Sequence, residues 1–347
     1  NVWVKTLGKE DDRVVTNDTD RGIRLYFWAA DSKHIMYLQD IGGNENWRLY
    51  GVNIDTLEIK DFTPFSNIQV RIIYLNKNFP DMIIIAMNKD NEQLHDIYSL
   101  NITSGELKLI AKNTGNIVSW LMDANLKVKG ATIAREDGGF DFIIRDNETS
   151  SWKTLVSWQY EDGFTSGPLL FSKDGKYVYL IDSRNANAGR LVKIGIDNSS
   201  FEVIIGDKQY DVNDVLVNHD TYEIQAVSFL KNRTEWVVLD KSIKDNFEAI
   251  SKLDYGDFFV YDKDYNETIW IVGYSKDIGP LAFYTYNTKT RNATFLFHNK
   301  PELNKYALAK MEPISFRSRD GKIIYGYITY PIGREKINLS IVLLAHG

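Results

Sequence analysis

Residues 169–181 read LLFSKDGKYVYLI: an apolar run, the polar turn Ser172-Lys173-Asp174-Gly175, and a second apolar run rich in aromatic and β-branched residues. Glycine supplies left-handed backbone, and Ser and Asp supply the local hydrogen bonds that a tight turn needs. The stretch therefore predicts a β-hairpin. The same unit recurs along the chain. Phe27-Trp28-Ala29 passes through Asp31-Ser32-Lys33 into Ile35–Leu38, and Arg71–Leu75 passes through Asn76-Lys77-Asn78 into Met82–Ala86. Val118–Leu121 turns at Asp123-Ala124-Asn125, Val215–Val217 at Asn218-His219-Asp220, and Phe258–Tyr261 at Asp262-Lys263-Asp264.

A second hairpin follows each of these pairs. Arg48–Tyr50 leads through Asn53-Ile54-Asp55-Thr56 to Ile59, and His95–Leu100 leads through Thr103-Ser104-Gly105-Glu106 to Leu109-Ile110. Phe140–Arg145, Leu191–Ile196, Trp236–Leu239 and Leu281–Tyr286 open the remaining four. With the first turn as marker, the units begin near residues 31, 76, 123, 173, 219 and 263. That spacing is the roughly 40–50 residues of a four-stranded propeller blade. A β-sandwich would not repeat six near-equal units in one internal order. No stretch longer than about ten residues carries a helical period, so the expected class is all-β.

Before the first full unit, Val2-Trp3-Val4 and Val14-Val15-Thr16 flank a polar turn. They read as the second half of a blade whose first half lies upstream of Asn1, where the native N-terminus is also expected because no initiator Met opens the chain. The expectation is a seven-bladed β-propeller, first blade incomplete, over residues 1–312. After Asn299-Lys300-Pro301 the pattern changes. Pro313–Arg317 enters an Asp320-Gly321 turn, Ile323–Tyr330 returns and stops at Pro331, and Ile341–Ala345 reads as a fully buried strand before His346-Gly347.

Asp320-Gly321, Gly326-Tyr327, Pro331 and His346-Gly347, in that order, resemble the first strands of the α/β-hydrolase domain in prolyl-oligopeptidase-family serine peptidases. The resemblance is especially to their acylaminoacyl-peptidase-like and dipeptidyl-peptidase-like bacterial branch. Asp18-Thr19-Asp20-Arg21-Gly22-Ile23 and the run Gln39–Tyr50 are similar to the first blades of that branch. The resemblance implies that residues 313–347 begin a truncated α/β-hydrolase domain. It also implies acyl transfer by a Ser on a Gly-x-Ser-x-Gly elbow, with Asp and His later in the chain. No such elbow occurs here. Catalytic residues are therefore expected outside this chain, with His346 and Gly347 only the start of an oxyanion loop, and the fragment alone is expected to be inactive. The propeller would gate short or N-terminally blocked peptides, with the missing hydrolase domain as its partner; homo-oligomerisation is left open.

The resemblance also implies an acidic propeller residue that holds the substrate ammonium. Glu45, beside Asn46 and Arg48, is the candidate; the competing reading makes these three a blade-stabilising network. A single Glu stands here where strict dipeptidyl peptidases are expected to carry an adjacent pair. A non-enzymatic TolB-like interaction propeller fits Ser172–Tyr177 equally well, but gives no reason for a buried strand ending at His-Gly. The resemblance implies a periplasmic or otherwise extracytoplasmic location over a cytoplasmic one.

Composition narrows the rest. Net charge is -6 with no cluster of Lys and Arg, which argues against a nucleic-acid partner. With no cysteine there are no disulfides and no thiolate metal ligands. The five histidines lack zinc-ligand spacing, so neither metal nor cofactor is expected. The longest apolar run, Met82–Met87, falls far short of the roughly 20 residues of a membrane span.

Overall fold

A computed structural model describes residues 1–197 and 200–344. The fold is an all-β propeller with six blades, each an antiparallel meander whose neighbouring strands are consecutive in sequence. The first blade is Leu25–Trp28, His34–Gln39, Arg48–Asn53 and Ile59–Asp61; the second is Val70–Leu75, Met82–Asn91, Leu94–Asn101 and Leu107–Ala111. Ile117–Met122, Val128–Ala134, Phe140–Ile144 and Lys153–Trp158 form the third. Gly167–Phe171, Tyr177–Asp182, Arg190–Gly195 and Phe201–Ile205 form the fourth. The fifth has three strands, Val212–Val217, Ile224–Leu230 and Thr234–Val238; the sixth is Asp257–Lys263, Ile269–Ser275, Ala282–Asn287 and Ala293–His298. The chain divides into two compact units, Asn1–Gln209 and the remainder from Tyr210.

Within the first unit, second strands are buried on both faces. Ile83, Ile84, Ile85, Ala86 and Met87 are all 0–2% exposed, which explains a continuous apolar run in place of strand alternation. Ile83, Ile85 and Met87 meet Met36, Leu38 and Leu49 of the first blade. Ile84 and Ala86 meet Met122 and Val128 of the third. Phe142, Val156 and Trp158 meet Phe171, Val178 and Val192 of the fourth. A short ribbon of Trp3–Val4 and Arg13–Val14 brings buried Val2 and Val15 onto Ile35 and Val52.

The turns use the chemistry read from sequence. Gly175 is left-handed at φ +69° and donates to the Ser172 carbonyl at 2.8 Å. A second turn design, closed by a left-handed fifth residue, repeats in four places among the described residues. The Oδ1 atoms of Asn53, Asn101, Asn218 and Asn287 each accept two backbone N–H groups from residues two and three ahead, at 2.9–3.1 Å. The fifth residue of each is left-handed: Leu57, Gly105, Tyr222 and Arg291. Three of those positions carry a side chain where glycine is favoured. Leu57 is half exposed and leaves little packing to lose. Leu57→Gly is expected to stabilise the chain by up to about 1 kcal/mol, read as a higher urea midpoint; a lower midpoint would contradict this account of the turn.

The fifth blade departs from expectation. A fourth strand was predicted after Trp236–Leu239; a 3-10 turn, Lys241–Ile243, and a helix, Lys244–Ile250, stand there instead. Leu239 and Asp240 both donate to the Gln225 carbonyl, and the Asp240 side chain caps Ser242 N at 2.9 Å. Ile243, Phe247 and Ile250 then fall on one helical face. They bury against Trp270, Val272, Tyr274 and Tyr286 of the sixth blade. So short a helix gives too few turns for its period to stand out in sequence.

In the second unit the predicted C-terminal hairpin forms from Met311–Arg317 and Ile323–Thr329 in continuous register. Gly321 turns it at φ +82°. Tyr327 Oη donates to the Lys231 and Asn232 carbonyls at 3.2 and 2.9 Å, and Met311 N donates to Asp277 Oδ2 at 2.9 Å. Ile341–Leu344, expected as a buried strand, pair with no strand among the described residues and are 84–95% exposed.

Candidate functional site

The loop from Asp40 to Trp47 joins the second and third strands of the first blade and carries the predicted site. Asp40 anchors it. Its side chain is 1% exposed and accepts from Arg21 Nε at 3.4 Å and Glu45 N at 3.1 Å. Burial pushes the Asp40 pKa up, but the Glu45 backbone bond and the Arg21 guanidinium outweigh it and hold the carboxyl below its usual range. Gly42 and Gly43 are left-handed, at φ +62° and +85°, and a Cβ on Gly43 would lie 3.4 Å from the Arg21 guanidinium. Asp18 braces the other side, accepting from Gly22 N at 2.7 Å and from the Gln39 side chain.

Glu45 also adopts left-handed backbone, φ +57°, a conformation uncommon outside glycine. Its carbonyl accepts from Gln69 Nε2 at 3.4 Å, which ties the loop to the connection into the second blade. Its side chain is exposed and has no hydrogen bond or ion pair among the described residues. Asn46 is half-buried, and its N–H donates to Asn44 Oδ1 at 3.0 Å. Arg48 is committed to the blade: it pairs with Asp61, donates to the Thr63 carbonyl at 3.3 Å, and lies 5.8 Å from the Tyr50 ring centre.

The three predicted residues therefore separate into two roles. Arg48 belongs to a network that holds the third and fourth strands together. Its charge is met by Asp61, as that of Arg21 is met by Asp40, so Glu45 is the anion of this loop left facing solvent. An exposed carboxylate on a braced loop can receive an ammonium group, since opposite charges within about 4–6 Å favour each other's ionised forms. Sequence reasoning assigned no role to Asp18, Arg21, Gln39 and Asp40. The available signal was the set of charged residues flanking Gly22 and Gly42-Gly43. His346 and Gly347 lie outside the described residues. Among the described residues no cluster of three or more His, Asp or Glu could hold a metal.

No family model matches the chain. Along its full length it is 33% identical to dipeptidyl aminopeptidase BIII of Pseudoxanthomonas mexicana, an alignment of 355 residues that takes in 51% of that protein. It is 26% identical to dipeptidyl peptidase family member 6 of Caenorhabditis elegans, over 95% of this chain and 47% of that protein. Apo prolyl oligopeptidase B from Galerina marginata superposes with a TM-score of 0.59 at 12% identity, over 90% of this chain and 47% of that one. At that identity the likeness is one of fold. The chain spans about half the length of the curated relatives it matches.

Proposed function

The chain is a β-propeller region of the prolyl oligopeptidase family, and from that premise we propose that the intact protein is a serine peptidase acting on short peptides, with this propeller governing access. The observation that carries the reading is the full-length likeness to a dipeptidyl aminopeptidase at one-third identity. Residues 313–347 would begin the α/β-hydrolase domain. The in-register hairpin and the apolar, unburied run Ile341–Leu344 support that, because such a run is stable only inside a sheet. The Trp3–Val4 ribbon would be the second half of a seventh blade, supported by the seating of Val2 and Val15 on the first.

Glu45 would hold the peptide ammonium, and Arg48 would hold the loop. The test uses full-length protein and paired chromogenic dipeptide substrates, one with a free N-terminus and one acetylated. Glu45→Gln is expected to raise KM for the free amine roughly tenfold, the worth of about 1.4 kcal/mol, and to leave the acetylated substrate unchanged. Equal effects on both substrates, or none, would remove Glu45 from substrate binding. Absence of serine-directed inhibition in the full-length protein would remove the peptidase reading itself.

A further inference from the structure

A cavity of about 320 Å³ in the fourth blade is lined by Asp182, Arg184, Asn185, Arg190 and Phe201. That volume is at the lower end of ligand pockets, roughly 300–1,000 Å³. Its two guanidinium groups are in different electrostatic states. Arg184 is neutralised: Nε and Nη2 grip the two oxygens of Asp182 at 2.8 and 3.1 Å. Asp182, 1% exposed, also accepts the Trp158 indole N–H at 2.9 Å. Its acceptor capacity is taken up, so it offers little to a second cation.

Arg190 has no such partner. Nη2 donates to the Arg184 carbonyl at 2.8 Å, but Nε is buried without a hydrogen bond, and among the described residues no carboxylate pairs with it. Its position is fixed by packing. A Cβ at Gly206 would stand 2.4 Å from Arg190 Cγ, so only glycine leaves room for the stem. Arg190 is half-buried and lines the cavity with no carboxylate among the described residues to balance its charge, and an incoming anion would supply that counter-charge. Arg presents its donors as a planar fork that matches a carboxylate. Phe201, 48% exposed, adds an apolar wall to the same cavity.

We propose that this cavity binds a carboxylate carried on an apolar group, with Arg190 as its counter-ion and Phe201 as its hydrophobic contact. One uncompensated positive charge beside an aromatic wall suits a monoanion with an apolar body better than a phosphate dianion. Two sources share that chemistry, a free aromatic acid and the C-terminal end of a short peptide. The inference rests on this chain alone and not on the peptidase reading.

Calorimetric titration of the chain tests it, with 3-phenylpropionate, 3-phenylpropionamide, acetate and inorganic phosphate as probes. Saturable binding of 3-phenylpropionate is expected, with the amide and acetate at least tenfold weaker. Arg190→Met keeps the stem against Gly206 and is expected to weaken 3-phenylpropionate roughly tenfold or more without lowering the unfolding midpoint. Phe201→Ser is expected to abolish the preference over acetate. Should Arg190→Met misfold, Arg190→Gln takes its place with the same expectation. Unchanged binding in a folded Arg190 variant, equal binding of the amide, tighter binding of phosphate, or no saturation would each overturn the proposal. Glycyl-phenylalanine then separates the sources: binding tighter than 3-phenylpropionate supports a peptide C-terminus, and weaker binding supports a free acid.

Discussion

Glu267→Gln is expected to destabilise the second unit by about 3–5 kcal/mol, the cost of leaving a buried charge without its partner. The charge is the ammonium of Lys263, whose side chain is 4% exposed. It donates to Glu267 Oε1 at 2.9 Å, Gln225 Oε1 at 2.8 Å and the Val217 carbonyl at 2.8 Å. Glu267 in turn accepts from His219 N, Asn218 Nδ2 and Gln225 Nε2 at 2.9–3.2 Å. The network joins the fifth and sixth blades, so its loss is felt beyond one turn. Glutamine keeps the shape and one acceptor oxygen, which isolates the missing charge. Burial pushes the Glu267 pKa up, and the bonds from Lys263 and the neighbouring donors bring it below the usual carboxylate value.

A depressed folded pKa contributes stability above the unfolded value, about 4.3, and loses it as pH falls through the folded value. Wild type should therefore lose stability on acidification below that point, and Glu267→Gln should lose less. Urea midpoints across that range measure both effects. The double variant Lys263→Met/Glu267→Gln should recover most of the loss, because neither charge then remains buried. A single-variant cost under about 1 kcal/mol would mean that water or a neighbour already compensates Lys263.

The contrast between Lys263 and the repeat pattern shows what sequence carries. Hairpins were legible because their determinants are local. Ser172-Lys173-Asp174-Gly175 and the Asn-led turns specify their own backbone through side-chain bonds two to five residues away. The apolar second strands were legible because burial on both faces leaves an unbroken run such as Met82–Met87. Lys263 was read only as part of a polar turn, Asp262-Lys263-Asp264, and stands instead at the end of the strand Asp257–Lys263. Its partners Gln225 and Val217 are 38 and 46 residues away, and no local rule foretells them. The helix Lys244–Ile250 escaped for a related reason: its apolar face makes sense only against Trp270 and Tyr286.

The candidate loop was half legible. Glycines at 42 and 43 marked a turn, and Glu45 was found as an acid beside them. The bracing by Asp18 and Arg21 depends on Gly22 bringing that segment back against Gln39 and Asp40, 17 or more residues away. Arg48 appeared as a site residue because it adjoins Glu45. In strand geometry, however, successive residues point to opposite faces, and Arg48 is drawn into its ion pair with Asp61.

Asp182→Ala should destabilise the first unit although it removes no apolar core. The carboxylate is 1% exposed and accepts from Trp158 Nε1, Arg184 Nε and Arg184 Nη2 at 2.8–3.1 Å. Alanine would leave the indole N–H of a residue that is itself 1% exposed without an acceptor, and would strand the Arg184 guanidinium. Bonds to charged groups are each worth about 1.5–3 kcal/mol and do not add when one group serves them all. Arg184 is 30% exposed and is partly hydrated once unpaired, so the expected cost is about 2–3 kcal/mol, set mainly by the buried indole N–H. Asp182→Asn keeps an oxygen for the indole and loses only the charge, so it should cost less than the alanine variant. Urea unfolding followed by tryptophan fluorescence orders the two. If asparagine proved as harmful as alanine, the charge pairing with Arg184 would be the dominant interaction. If both were mild, Trp158 would be held by its contacts with Phe142, Val156 and Phe171 rather than by its hydrogen bond.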